Sequence, residues 1–123
     1  MELVFKATEK FENDLKRLDS RNRSRVINKI NAICSLLQNH PSAFFKHAYR
    51  PLIPHLAKGL KSSMYTLRID KDIRVILTVD EDPIFEQNIV TLMRIVRHGE
   101  LNKTFRNIAE VLYQQDLIKL ESI

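Results

Sequence analysis

Arg68 and Arg74 sit inside two short runs of alternating apolar and polar residues. These are Tyr65-Thr66-Leu67-Arg68-Ile69 and Ile73-Arg74-Val75-Ile76-Leu77-Thr78-Val79, joined by the polar turn Asp70-Lys71-Asp72. Alternation of period two marks half-buried strands, whose successive side chains point to opposite faces. Folded back as antiparallel partners, the runs place Arg68 and Arg74 on one sheet face, opposite a core face carrying Leu67, Ile69, Val75 and Leu77. A fixed cationic pair on an open sheet suits a phosphate better than it suits a core. His98 is the residue whose unperturbed pKa, about 6.5, suits proton transfer near neutrality. It follows the apolar run Ile89–Val96, and strand alternation puts it on the same side as Arg94, with Arg97 opposite, unless a bulge intervenes. His40, His47 and His55 show no metal-ligand spacing and read as loop residues, so no metal and no cofactor are expected.

The elements that position these residues can be traced along the chain. Residues 3–7 form a short strand. Thr8 then reads as an N-cap, with Glu9 and Glu12 in the first helical turn, where the helix dipole favours anions. Phe11, Leu15 and Leu18 at helical spacing predict a helix over 9–18. Val26, Ile30, Ile33 and Leu37 predict a second over about 22–38, ended by Asn39-His40-Pro41. From His40 to Met64 the pattern is irregular, with a short helical turn expected near Pro54–Leu60 and Phe44 or Phe45 docked on the core. The two arginine-bearing strands follow, then an acidic turn at Asp80-Glu81-Asp82-Pro83 and the nearly continuous apolar strand over 89–96, which reads as central. Phe105, Ile108, Ala109 and Leu112 mark a last amphipathic helix. The tail from Gln114 either extends that helix or seeks a partner through Leu117, Ile118 and Leu120. The order is β-α-α-β-β-β-α: an α+β sandwich with an antiparallel-rich sheet, helices packed on one face and an open basic face.

With 123 residues the chain has room for one ordinary domain, 1–123, in which 114–123 is the tail or helix extension. Two glycines are few, so its turns rest mostly on Asn, Asp and Pro. The lone Cys34 excludes an internal disulfide, favours a reducing compartment and falls in a helical apolar stripe, where it reads as buried filler. No signal-like segment or membrane-length apolar run is seen, so a cytoplasmic location without membrane contact is expected. The net charge of +5 favours an acidic partner, nucleic acid or protein.

In element order, in the lead-in Leu56-Ala57-Lys58-Gly59-Leu60-Lys61, in Leu67-Arg68-Ile69 and Ile73-Arg74-Val75-Ile76-Leu77, and in the closing Val96-Arg97-His98-Gly99-Glu100 with Lys103-Thr104-Phe105, the chain resembles the RelE/ParE superfamily of toxin–antitoxin toxins over roughly residues 3–113. The resemblance implies a RelE-like fold and a toxin neutralised by a cognate antitoxin. One branch of that superfamily cleaves mRNA on the ribosome without metal, by attack of the ribose 2′-hydroxyl on the adjacent phosphate. Another inhibits DNA gyrase without nuclease chemistry. For the first branch the implied catalytic residues are Arg74, His98 and Lys61. Arg68, Lys58, Arg94, Arg97 and Lys103 are the implied RNA- and phosphate-binding residues. Arg74 matches the strand arginine that contacts the scissile phosphate. Glu100 is a second candidate base or the cap of the last helix. The chain departs from the ribonuclease pattern at Phe105, where a tyrosine is common. Phenylalanine moves no proton and fits the helix's buried stripe. Three functions therefore stand open: a ribosome-dependent mRNA endonuclease, a ParE-like gyrase inhibitor, and an inactive relative that only binds the antitoxin.

Overall fold

In the structure, a computed structural model that describes residues 1–122, an edge strand comes first, β1 (Glu2–Ala7). Thr8 turns the chain out of it. Its N–H still donates to Leu92 O at 3.0 Å and its hydroxyl donates to Met93 O at 2.8 Å. The same hydroxyl oxygen accepts from Phe11 N at 3.1 Å, which caps helix α1 (Glu9–Arg17) as its sequence predicts. Asp19 caps α2 (Ser20–Cys34) by accepting from Asn22 N at 2.7 Å. The helix predicted over 22–38 divides at Ser35, whose hydroxyl donates to Ala32 O at 2.9 Å and competes with the backbone ladder. A short α3 (Leu36–Asn39) follows. Pro41, with its φ already helical, opens α4 (Pro41–His47), which the sequence pattern did not signal.

The irregular middle holds more order than predicted. After β2 (Ala48–Tyr49) come β3 (Leu52–Leu56) and a 3-10 turn at Ala57–Gly59, close to the expected helical turn. Then β4 (Met64–Arg68), β5 (Ile73–Asp82) and β6 (Gln87–Arg97) form the three expected strands. The acidic residues Asp80–Asp82 belong to β5, and the turn lies beyond them. A 3-10 turn at His98–Glu100 leads into α5 (Leu101–Leu112), and the tail forms β7 (Leu117–Ser122).

The main sheet runs β1-β6-β5-β4-β2, with β1 and β6 parallel and the other pairs antiparallel. β6 is interior, as its apolar run predicts. One face, with Leu67, Val75, Leu77 and Ile95, packs on Phe11, Val26, Ile30 and the fully buried Phe44. The other face is narrower than an open one. Ile76, Met64 and Val96 are covered by Phe105 and Ala109 of α5 and by Leu52 of β3, because α5 carries an apolar stripe that has to bury somewhere. The tail neither extends α5 nor stays free. β7 pairs antiparallel with β3, Leu120 opposite Pro54, and Leu120 packs on this second core.

Candidate anion site at the end of the β4–β5 hairpin

β4 and β5 pair in a register that sets Arg68 directly across from Arg74, on the face away from α1 and α2. Directly opposed like charges on neighbouring strands repel, so the pair is stable only where something offsets it. No carboxylate among the described residues does. Arg74 is buried, yet every acceptor it reaches is neutral. Nη1 donates to Asp70 O at 2.6 Å and to Ile73 O at 3.2 Å, Nε donates to the Tyr49 hydroxyl at 3.1 Å, and Nη2 lies 3.4 Å from His98 Nδ1. The carboxylates of the intervening turn are engaged elsewhere. Asp70 accepts from Ile73 N at 2.7 Å and Asp72 N at 2.8 Å and pairs with Arg25 at 3.0 Å, while Asp72 pairs with Arg97. The backbone N–H of Ile73, with that of Asp72 and the Arg25 guanidinium, holds the Asp70 carboxyl below the usual carboxylate range.

His98 is exposed and anchored by its backbone N–H on Asp72 O at 2.7 Å. A guanidinium can only donate, so Nδ1 is the accepting nitrogen in this contact and the ring proton of the neutral tautomer sits on Nε2. The structure thus brings Arg68, Arg74 and His98 together, and adds Tyr49, which sequence reasoning passed over. Nothing in the sequence pattern singles it out, since the extended bias before Pro51 falls on Arg50.

The remaining predicted residues lie elsewhere. Lys61 and Lys58 precede Met64, at the end of β4 remote from Arg68, and β4 alone separates the two ends by about 13 Å at ~3.3 Å per residue. Lys61 is exposed, and Lys58, at positive φ, reaches Asp116 at 3.9 Å. Arg94 lies opposite Ile76 and Val96 opposite Arg74, so Arg94 falls on the face from which His98 meets Arg74, with Arg97 on the other, as alternation predicts. Arg94 still does not join the cluster: its guanidinium turns to α1, where Asp14 accepts from its Nε at 2.7 Å and its Nη2 at 3.2 Å. Hydrogen bonding to Asp14 raises the Arg94 pKa further. Lys103 is exposed on α5. Glu100 stands at the N-cap of α5 without a capping side-chain bond, and Phe105 is fully buried. No group of His, Cys, Asp and Glu residues suited to a metal occurs among the described residues, and no helix there is long and apolar enough to cross a membrane.

No family model and no curated protein matches the chain. Among solved structures it is similar to the archaeal RelE–RelB complex from Pyrococcus horikoshii OT3, with 17% identity over 80% of this chain and 98% of that one and a TM-score of 0.51. A YoeB/ParE toxin from Agrobacterium tumefaciens matches with 20% identity over 80% and 99% at a TM-score of 0.45. The conserved hypothetical protein HP0894 from Helicobacter pylori matches with 19% identity over 80% and 98% at 0.36. The first likeness, together with the mixed sheet and its helices, makes this a RelE-like α+β fold.

Proposed function

We propose that this protein is the toxin of a type II toxin–antitoxin pair and acts as a ribosome-dependent mRNA endonuclease. The observation that carries the proposal is Arg74: a buried guanidinium with neutral partners only, opposed by Arg68 and touching His98. Burying a cation without a counter-ion is unfavourable, and a phosphate held between the arginines removes the penalty. In the reaction the 2′-oxygen forms a bond to phosphorus and the bond to the 5′-oxygen breaks, leaving a 2′,3′-cyclic phosphate and a free 5′-hydroxyl. Arg68 and Arg74 offset the charge that grows on the phosphoryl oxygens. His98 takes a proton from solvent on Nδ1 as that nitrogen leaves Arg74, then donates its Nε2 proton to the leaving oxygen and returns to the neutral ring, while solvent takes the 2′ proton. Lys61, Lys58 and Lys103 contact flanking phosphates, whereas Arg94 and Arg97, held by Asp14 and Asp72, support the fold. The partner that neutralises the site is an antitoxin, as the RelE–RelB complex suggests.

The alternative is a gyrase-directed inhibitor, favoured by Phe105 lying wholly in the core and Lys61 standing far from Arg74. Induction of wild type, His98→Ala and Arg74→Lys, with mapping of mRNA 5′ ends, separates the two. New 5′-hydroxyl ends within codons, reduced about 100- to 10,000-fold in His98→Ala, support the nuclease. Growth arrest without such ends, accompanied by DNA damage signalling, selects the gyrase reading. No growth effect at all points to an inactive antitoxin-binding relative.

A further inference from the structure

From Tyr49 an open trough runs along the free edge of the main sheet. It consists of two adjoining cavities of about 580 and 480 Å³ that share Arg50, Ile53 and Tyr65. In the first, the walls are the rings of Phe45, Tyr49 and Tyr65, with Phe45 and Tyr65 5.3 Å apart and tilted. The Arg50 guanidinium lies over the Tyr65 ring at 4.2 Å, tied by Nε to Met64 O and by Nη2 to Ser62 O, while Nη1 has no partner among the described residues. The second cavity is more aliphatic but carries Lys61 at its lip. Among the described residues no carboxylate lines either cavity, and Glu121 is held by His55 at 2.9 Å.

We infer that this trough binds single-stranded RNA, with bases stacked on Phe45 and Tyr49 and phosphates on Arg50 and Lys61. Exposed rings interleaved with cations make a stacking platform that accepts any base, and an arginine fixed over a ring adds a further flat, charged surface. Tyr49 joins the trough to the anion site, since its ring lines the first cavity and its hydroxyl accepts from Arg74 Nε at 3.1 Å. A strand lying in the trough would therefore deliver a phosphate to Arg68, Arg74 and His98. The inference rests on the endonuclease reading for its purpose, though not for its chemistry. It also assigns Lys61 a place: holding the chain at the far end of the trough.

The test is fluorescence anisotropy of a labelled 2′-O-methyl RNA octamer, which cannot form the cyclic phosphate. Phe45→Ala and Tyr49→Ala are expected to weaken binding about 5- to 150-fold, the range for one lost base–ring stack, and Tyr49→Phe to retain it. Phe85→Ala, an exposed ring remote on the β5–β6 turn, is expected to stay within twofold. Photo-crosslinking of 4-thiouridine RNA to the unaltered protein gives a measurement independent of variant folding. Crosslinks within 45–65 support the inference, and crosslinks confined to other segments overturn it. Unchanged affinity in Phe45→Ala and Tyr49→Ala, or no RNA binding by wild type, also overturns it and leaves the trough to a protein partner. Normal octamer binding in these variants with 5′-hydroxyl ends still seen in cells removes the trough and keeps the nuclease. Trough-dependent binding without such ends does the reverse.

Discussion

Replacing Asp14 with alanine should cost about 3 kcal/mol, a figure that follows from what its carboxylate holds. Oδ2 accepts from Ile95 N at 2.9 Å and Arg94 Nε at 2.7 Å, and Oδ1 accepts from Arg94 Nη2 at 3.2 Å. These residues lie just past the point where β1 ends opposite Leu92, so β6 has lost its strand neighbour there and Asp14 supplies the missing acceptor. An orphaned buried N–H costs about 1–3 kcal/mol, and two charge-assisted bonds contribute about 1.5–3 kcal/mol where water is excluded. Arg94 is 28% exposed, so solvent recovers part of the second contribution. At this chain length ~3 kcal/mol lowers Tm by roughly 10 °C. Urea unfolding followed by circular dichroism reads the loss as a lower midpoint at unchanged slope. Arg94→Met, which leaves the bond from Ile95 N to Asp14 intact, should cost about 1–2 kcal/mol and leave the proposed RNA cleavage, read per folded molecule, unchanged. A loss under about 1 kcal/mol for Asp14→Ala would refute this account of the β6 edge. Abolished cleavage in a stable Arg94→Met protein would make Arg94 a substrate contact instead.

Three further outcomes are expected. Asp70 has its folded pKa depressed, so the stability it contributes is present above its unfolded pKa of about 3.9 and is lost as pH falls through the folded value; Asp70→Asn should flatten the acid limb of Tm against pH below about 4, and an unaltered limb would count against the turn bonds. Removing residues 117–123 should strip β3 of its partner and uncover Leu52, lowering Tm by several degrees, whereas an unchanged Tm would mean that β7 is a dispensable appendage. Burial pushes the Cys34 thiol up to about 12, so it should resist a thiol reagent at pH 8 in the native protein and react at once in urea; rapid native labelling would contradict its place in the core.

Much of the fold was legible because its signals are local. Alternation over 65–69 and 73–79 sorts core from non-core side chains before any strand finds its partner, and it puts Arg68 and Arg74 on one face wherever the hairpin docks. Thr8 announces α1 through a bond three residues long. The stripe of α5 was equally plain, but a stripe says only that a face is buried, not against what, so its cover over the second sheet face went unseen. The tail misled for the same reason, since its apolar residues suit a helix, a partner or a strand, and only the presence of β3 beside it selects the strand.

For the site, sequence alone determined the cationic pair and marked His98 as a candidate for proton transfer. Tertiary structure decided what those groups do. It buried Arg74 among neutral acceptors, brought Tyr49 and His98 to it, committed Arg94 to Asp14 and left Lys61 at the far end of β4. The contacts that make these choices join residues 24 and 25 apart on Arg74 and 80 apart on Asp14. Periodicity reports which side of its own element a residue occupies. Which charges lose water and which find a carboxylate depends on how distant elements pack.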